Sequence, residues 1–269
     1  MRTFGFSRGL EPFHALMLAT MTTARLLVLQ PDPTDPVGPL GDWLTGAGAE
    51  LDLRRLPDDP LPGTLDEYQG VVCLGGGMSA EDDAQHPWLA DVRALLATAA
   101  RTNVPTLAIC LGAQLLAVAT GGRVEIGQAG PEVGAALVAK KDAAWSDPLF
   151  ADLPLMQDVM HFHEDAITQL PRGAVLLASA PKYPNQAFRL HRSAYGVQFH
   201  IETTTELVQA WADESPHLAS TRAPSAFDTE TLDRNHADIA ETWHPFVARF
   251  VQLATGALES APPNSLPLA

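Results

Sequence analysis

Short apolar segments alternate with longer amphipathic segments along the first half of the chain, and this alternation is the feature that most constrains the fold. RLLVLQ, ELDLRRL, YQGVVCLGGG and VPTLAIC are typical of strands, whereas PVGPLGDWLTGAGA and HPWLADVRALLATAAR are typical of helices. Strands separated by helices form βαβ units, in which the strands pair in parallel. We therefore predict an α/β protein with a parallel central sheet.

The segments between residues 133 and 200 are shorter, and turn-like links replace the helices there. VGAALVAKK, LMQDVMHF, AVLLASA, NQAFRL and AYGVQFH each predict a strand. Because such links connect neighbouring strands directly, we expect an antiparallel extension of the sheet. Two helices are predicted after it, at about residues 203–213 and 229–254.

The pattern predicts one domain over residues 21–256, because no convincing linker or internal repeat interrupts it. The segment FHALMLATMTTA resembles a weak signal peptide, but Glu11 and His14 interrupt its apolar run. Met21 stands just before the first predicted strand. We therefore expect residues 1–20 to form an extension outside the fold, and residues 257–269 to form a frayed tail.

Composition limits the partners that this chain can bind. A net charge of −15 argues against nucleic acid and anionic membranes, which select clustered Lys and Arg. Two cysteines cannot build a disulfide framework, and without metal-type spacing they make a zinc site unexpected. No P-loop or other nucleotide fingerprint is visible. We expect a cytoplasmic protein without a metal or another cofactor.

Two of the predicted strands end in loops of unusual composition, and chemistry in an open parallel sheet gathers at such strand ends. The glycines at 75–77 allow backbone N–H groups to approach a ligand closely. Cys110 ends the strand VPTLAIC, and a helix begins behind it, so that the helix N-terminus would stabilise a thiolate. The N–H of Leu111 would point to the same side. A cysteine that ends an apolar strand is more often a packing residue, the role that we assign to Cys73.

The segment YGVQFHIET favours a catalytic role for Cys110. Gln198 and His200 lie on one face of the predicted strand, and Glu202 follows two residues later. His200 could accept the thiol proton, and Glu202 could hold the other imidazole nitrogen. Cysteine, histidine and carboxylate together form a nucleophile, base and orienting group.

The cysteine and histidine segments resemble a known family. ICLGAQLLA and GVQFHIE are similar to the two signatures of class I (triad-type) glutamine amidotransferases, approximately G-[IV]-C-x-G-x-Q and G-V-Q-F-H-P-E. LGGGMSAEDDAQHPWL, GGRV, GPEVG, HFHED and NQAF look like the stand-alone branch related to the amidotransferase domain of GMP synthase. The resemblance covers most of residues 24–213. It implies a Rossmann-like (flavodoxin-like) three-layer sandwich whose mostly parallel sheet has an antiparallel extension.

The resemblance also implies catalytic roles. Cys110 attacks the side-chain amide of glutamine and forms a γ-glutamyl thioester, while His200 transfers protons and Glu202 orients His200. Gly76 and Leu111 supply the N–H groups of an oxyanion hole.

The same family pattern implies a substrate site. Gln114 and Gly75 are assigned to substrate binding, and His163 and Asp165 lie in an element similar to a substrate-flanking HGD motif. Glu132 either lines the pocket or is structural.

The chain departs from the family pattern at three positions. Ile201 replaces a proline between the histidine and the glutamate, and Gly77 replaces a frequent proline in the glycine loop. We expect both changes to preserve catalysis. Glu164 stands where the related element often has glycine, and its carboxylate could alter which γ-glutamyl compound fits.

Three functions therefore remain open. The chain could release ammonia from L-glutamine for a separate synthetase, since it contains no synthetase itself. It could instead act alone as a γ-glutamyl hydrolase or peptidase on a metabolite. A non-catalytic regulator is the third possibility, but it predicts a damaged triad, and these three residues are all present.

Overall fold

The computed structural model describes residues 23–262, in which helices cover both faces of a central sheet. The strands are β1 (Ala24–Gln30), β2 (Ala49–Arg55), β3 (Gly70–Cys73), β4 (Thr106–Ile109), β5 (Arg123–Ile126), β6 (Glu132–Lys140), β7 (Met156–His163), β8 (Asp165–Gln169), β9 (Val175–Ser179), β10 (Ala187–Leu190) and β11 (Ala194–Val197). The helices are α1 (Gly38–Gly46), α2 (Leu89–Thr102), α3 (Leu111–Ala119), α4 (Thr205–Glu214), α5 (Pro216–Ala219) and α6 (Thr229–Thr255). Two 3₁₀ turns span Asp142–Ser146 and Pro224–Phe227.

The central sheet has nine strands in the order β2-β1-β3-β4-β11-β10-β9-β6-β7. The pairs from β2 to β11 are parallel, as the alternation of strands and helices predicts. The pairs from β11 to β7 are antiparallel, which confirms the predicted extension. Because β4 and β11 are parallel neighbours, the carboxyl ends of both strands open at the same edge of the sheet.

Side chains of β1 alternate between the two faces of the sheet, and both faces are buried. Leu26 and Val28 belong to one apolar cluster, which also contains residues of α1 and α6. Leu27 and Leu29 belong to the other cluster, with residues of α2 and α3. A strand buried on both sides reads as a continuous apolar run, which is the reason why RLLVLQ carries no polar alternation. The three-layer architecture is confirmed.

A second sheet, which the sequence did not predict, consists of β5 and β8 paired antiparallel. Both strands are short, and β5 is largely exposed, with Ile126 77% accessible. Neither strand therefore carries the apolar pattern that marks a buried strand.

The structure describes the first part of the predicted C-terminal tail but none of the predicted N-terminal extension. The predicted extension, residues 1–20, lies outside the described residues, as do residues 263–269 of the predicted tail. As far as Ala261 the tail packs against the body instead of fraying: the N–H of Ala261 donates to the carbonyl of Arg192 at 3.2 Å, and Arg192 Nε donates back at 3.1 Å. No helix within residues 23–262 is long and apolar enough to cross a membrane.

Candidate active site

Cys110 forms the sharp turn between β4 and α3. Its backbone has φ 48° and ψ −109°, a region that residues other than glycine rarely adopt. The Cys110 N–H donates to the carbonyl of Val197 at 2.8 Å, and its carbonyl accepts from the N–H of Gln114 at 3.0 Å. These bonds hold the turn on both sides. The thiol therefore lies at the carboxyl edge of the sheet, in front of the first turn of α3.

The first turn of α3 can approach the sheet closely because residue 112 is glycine. A Cβ atom at Gly112 would lie 2.3 Å from the carbonyl oxygen of Cys73 and 3.0 Å from that of Leu74. Cys73 itself is fully buried in β3, and burial raises the pKa of its thiol to about 12. Such an environment agrees with the packing role predicted for Cys73.

His200 and Glu202 form a buried pair directly after β11. The Nδ1 atom of His200 lies 2.6 Å from Oε1 of Glu202, and the second carboxylate oxygen accepts from the N–H of Ile201 at 2.8 Å. The ladder of β11 ends at Val197, so the predicted strand is shorter than expected. A single bridge to Met160 of β7 then fixes the backbone of His200.

The charges around His200 favour the imidazolium form. Burial disfavours that form, but the negative charges of Glu202 and Cys110 and hydrogen bonds to both outweigh it, and the pKa of His200 is raised well above 6.5. Cys110 and His200 both line one cavity, so the thiol and the imidazole face the same space. The ring of Trp211, with its centroid 4.9 Å away, packs against the imidazole.

Two side-chain amides connect Cys110 to the segment that contains His163 and Asp165. Gln198 Nε2 lies 3.8 Å from Cys110 Sγ, and Gln198 Oε1 accepts from Gln114 Nε2 at 3.3 Å. Gln114 Nε2 also donates to the carbonyl of Asp165 at 3.1 Å. Sequence reasoning assigned no role to Gln198, although it noted that Gln198 shares a face with His200.

The glycine loop after β3 is held by a residue of the loop after β1. Asp32 Oδ2 accepts from the N–H of Gly77 at 3.0 Å, and Oδ1 accepts from the N–H of Thr34 at 2.9 Å. Burial raises the pKa of Asp32, but these hydrogen bonds outweigh it and bring the pKa below 3.8. Gly76 lies against Leu111, since a Cβ at Gly76 would be 2.8 Å from Leu111 Cδ2. The two predicted oxyanion-hole residues are therefore neighbours.

Asp35 is a buried acid beside His200 that sequence reasoning missed. A Cβ at Gly75 would lie 2.5 Å from Asp35 Oδ2 and 3.1 Å from His200 Cε1, so both side chains crowd the same face of the glycine. Burial raises the pKa of Asp35 to about 7, partly offset by the charge of His200. The segment PDPTDP reads as a turn, and this composition hides the buried position of Asp35.

A cavity of about 410 Å³ opens over Cys110 and His200. Its walls also include Gly76, Gln114, Phe162, His163 and Asp165. Asp165 accepts from Ser79 Oγ at 2.8 Å, and the half-exposed Glu164 lies at the rim, 3.7 Å from His217. Trp211 closes one side and donates from Nε1 to the carbonyl of Thr34 at 2.9 Å. The cavity has the size of a small-molecule site.

Glu132 lies behind the cavity wall and not at its surface. Its carboxylate contacts His163 Nε2 at 3.3 Å and accepts from Gln186 Nε2 at 2.8 Å. His161, two residues before His163, is also buried, and burial together with the charge of His163 lowers its pKa to about 3. Gly75 likewise lies beneath the cavity and supports Asp35 and His200.

Comparisons with known proteins indicate which family this chain is similar to. Residues 44–210 match the family model described as glutamine amidotransferase class-I. A GMP synthase from Christiangramia forsetii is 34% identical over 148 residues, which are 54% of this chain but only 27% of that protein. Gamma-glutamyl peptidase 4 from Arabidopsis thaliana is 26% identical over 212 residues, 76% of this chain and 82% of the plant protein.

Solved structures agree with these sequence matches. A glutamine amidotransferase from Thermotoga maritima superposes with a TM-score of 0.76 at 28% identity, covering 85% of this chain and 98% of that one. A glutamine amidotransferase from Methylobacillus flagellatus, at 24% identity and a TM-score of 0.74, shares the fold over 91% of this chain and 99% of its own. The family match covers more than half of the chain, and the protein belongs to the class I glutamine amidotransferases.

Proposed function

We propose that this chain hydrolyses the side-chain amide of glutamine through a thioester on Cys110, with Cys110, His200 and Glu202 as its triad. The observation that carries the proposal is the buried hydrogen bond between His200 and Glu202 in the wall of a cavity that Cys110 also lines, at the end of two adjacent parallel strands. A packing cysteine needs neither the positive φ of Cys110 nor an ionisable partner.

In the proposed reaction His200 first accepts the thiol proton, and Cys110 Sγ attacks the amide carbon. The electron pair of the carbonyl moves to oxygen, where the N–H groups of Gly76 and Leu111 stabilise it. When the C–N bond breaks, His200 returns the proton to the leaving nitrogen and ammonia departs. Water then attacks the thioester while His200 takes its proton, and the thiol is restored as glutamate leaves. Glu202 keeps the imidazole oriented and stabilises its positive charge.

The substrate-binding roles follow from the walls of the cavity. Gln114, His163 and Asp165 all reach the cavity, and we propose that they contact the amino-acid part of the substrate. Gln198 positions Gln114 and the thiol through its amide. Gly75 acts from below, because it leaves room for Asp35 and His200.

A second candidate function is a γ-glutamyl hydrolase or peptidase that needs no partner. In a subunit that a synthetase activates, we expect the glycine loop to become ordered only when the partner binds. Here Asp32 already holds the loop, by accepting a hydrogen bond from the N–H of Gly77. The high coverage of gamma-glutamyl peptidase 4 favours the same candidate. Glu164 at the rim gives such an enzyme a means to select the leaving group. The ammonia-accepting synthetase of the first candidate and the cytoplasmic location both stay predictions.

Steady-state hydrolysis by the isolated chain tests these proposals. Ammonia and glutamate released from glutamine are compared with the products from a panel of γ-glutamyl dipeptides and γ-glutamyl amines. Turnover of glutamine at about 1 s⁻¹ or faster supports glutaminase activity without a partner. Fast turnover of another γ-glutamyl compound, with slow turnover of glutamine, supports the second candidate. Activity that survives in Cys110→Ala refutes the thioester mechanism for either substrate.

A further inference from the structure

Strands β6 and β7 bring Glu132, His161 and His163 together behind the cavity wall. Glu132 pairs with His163 across the ladder, and His161 pairs with Gly134. Residues two apart on a strand share a face, so both imidazoles and the carboxylate point to the same side of the sheet. All three residues are nearly or fully buried, with accessibilities of 9%, 1% and 6%.

The hydrogen bond of His163 fixes which of its nitrogens carries a lone pair. His163 Nδ1 lies 2.9 Å from the carbonyl oxygen of Asp165, which can only accept, so Nδ1 carries the proton. In the neutral ring Nε2 then holds a lone pair, and this atom faces Glu132 Oε2 at 3.3 Å without a hydrogen bond. Two acceptors that face each other at this distance repel unless a proton or a metal cation lies between them.

His161 adds two further nitrogens without partners. Within residues 23–262 neither Nδ1 nor Nε2 of His161 has a hydrogen-bond partner, although the ring is almost fully buried. Leaving a buried polar atom unpaired costs about 1–3 kcal/mol. Nδ1 lies 3.9 Å from Glu132 Oε2, which is too long for a hydrogen bond but close to the separation of two ligands that share a metal.

We propose that Glu132, His161 and His163 bind a divalent transition-metal cation, for which Zn²⁺ is the natural probe. Two imidazoles and one carboxylate suit such cations better than Mg²⁺ or Ca²⁺, which prefer oxygen ligands. The three ligand atoms lie within 4.8 Å of one another. A point equidistant from them is therefore no more than about 2.4 Å from each, so shifts of a few tenths of an ångström reach the usual Zn–N distance.

The surroundings of the three residues resemble the outer shell of a metal centre. Metal-binding histidines commonly donate their other N–H to a carbonyl, as His163 does to Asp165. Glu132 is held by Gln186, which donates to its carboxylate at 2.8 Å. Two positive charges oppose a cation there: the buried imidazolium of His200 and the guanidinium of Arg222. Arg222 is exposed and donates to the carbonyl of Ala135 at 3.2 Å, so solvent screens its charge.

A metal here would fix residues 161–165, which form one side of the cavity. His163 reaches both the proposed cation and the cavity, and its Nδ1 holds the carbonyl of Asp165. The metal therefore positions the cavity wall and takes no part in the proton transfers of His200. This inference does not depend on the proposed hydrolysis.

Zinc binding by the full chain tests the site, with Cys110→Ala as the background so that the thiol cannot hold the metal. After treatment with a chelator, the protein competes with a chromophoric chelator for Zn²⁺, and bound metal is counted after gel filtration. We expect one Zn²⁺ per chain with a Kd of about 1 μM or tighter. In that background His161→Phe, which keeps the ring volume beside Phe199, should weaken binding at least about 100-fold.

Two further variants make the result decisive. Glu132→Gln keeps an oxygen for Gln186 and should also lose Zn²⁺ affinity, which covers the case in which His161→Phe does not fold. His244→Ala removes an exposed imidazole on α6 and should bind Zn²⁺ like its parent. Binding weaker than about 100 μM in the parent, or equal affinity in the parent and both site variants, would overturn the proposal.

Discussion

Gly75→Ala should impair the active site while leaving the fold intact. The backbone of Gly75 is not in the left-handed region, so alanine fits the chain conformation. The added methyl group would nevertheless lie 2.5 Å from Asp35 Oδ2 and 3.1 Å from His200 Cε1, where ordinary contacts begin at 3.4 Å. To restore ordinary contacts, the Asp35 carboxyl must move by roughly 1 Å and the imidazole by about 0.3 Å.

The size of the effect follows from this overlap. Inserting a methyl group into a packed site costs about 1–3 kcal/mol, which should lower Tm by no more than about 12 °C in a chain of this length. A misplacement of about 1 Å at a reacting group can cost on the order of 100-fold in rate, and the smaller displacement of the His200 imidazole should cost less. We therefore expect kcat/KM to fall about 10-fold with a modest loss of stability.

Gly77→Ala is the matched control in the same loop. A Cβ there would meet its nearest atom, Asp32 Oδ2, at 3.6 Å, an ordinary contact. Ammonia release from glutamine and the alkylation rate of Cys110 should both be compared in the two variants, because alkylation does not depend on the identity of the substrate. Gly77→Ala should stay within about a factor of three of the parent. If the two variants behave alike in both assays, the crowding of Asp35 and His200 at Gly75 has no catalytic consequence and the reasoning fails.

Four other tests address separate parts of the site. Cys110 should be alkylated faster than Cys73, whose thiol is buried with a pKa of about 12, and mass spectrometry that finds both labelled equally would contradict this. Glu202→Gln should retain more activity than His200→Ala, because orientation is lost but the base remains. Because folding raises the pKa of His200, protonation of this side chain stabilises the folded chain. The stabilisation is fully present below pH 6.5 and is lost as the pH rises through the raised pKa. Glu202→Gln should therefore lower the free energy of unfolding in urea more at pH 6 than at pH 9. Asp35→Asn should stabilise the chain by about 3 kcal/mol more at pH 8 than at pH 5. The reason is that the pKa of Asp35 is raised from 3.8 to about 7 in the folded chain, so that ionisation of the buried carboxyl destabilises the fold as the pH rises. An equal effect at both pH values would exclude a buried acid.

The parallel half of the sheet could be predicted because its strands are buried on both faces. Leu26 to Leu29 are fully inaccessible, and such runs stand out against amphipathic helices. The two-stranded sheet of β5 and β8 could not be predicted in the same way. β5 is largely exposed and β8 buries only the adjacent Ala166 and Ile167, so neither strand shows an alternating apolar pattern. Their pairing depends on contacts between residues about 40 positions apart.

Some residues of the candidate site could be predicted from the sequence, and others could not. Cys110, His200 and Glu202 were identified because each follows a strand and matches a family signature. Asp35 and Asp32 were missed, since their roles arise from a loop that folds back over the glycines. The grouping of Glu132 with His161 and His163 depends on the register of β6 against β7, which the residues of either strand alone do not reveal. The sequence argument against a metal site used cysteine spacing, which carries no information about a group of one glutamate and two histidines.

The hydrogen bond from Trp211 to Thr34 has a consequence for how the protein is made. It joins residues 177 positions apart, and the cavity needs side chains from both ends of that span. A ribosome that has translated the chain only as far as Glu202 has already produced Cys110 and His200, but Trp211 has not yet been made. The cavity can close only after α4 has left the exit tunnel. The nascent chain is therefore without a finished active site until synthesis is nearly complete.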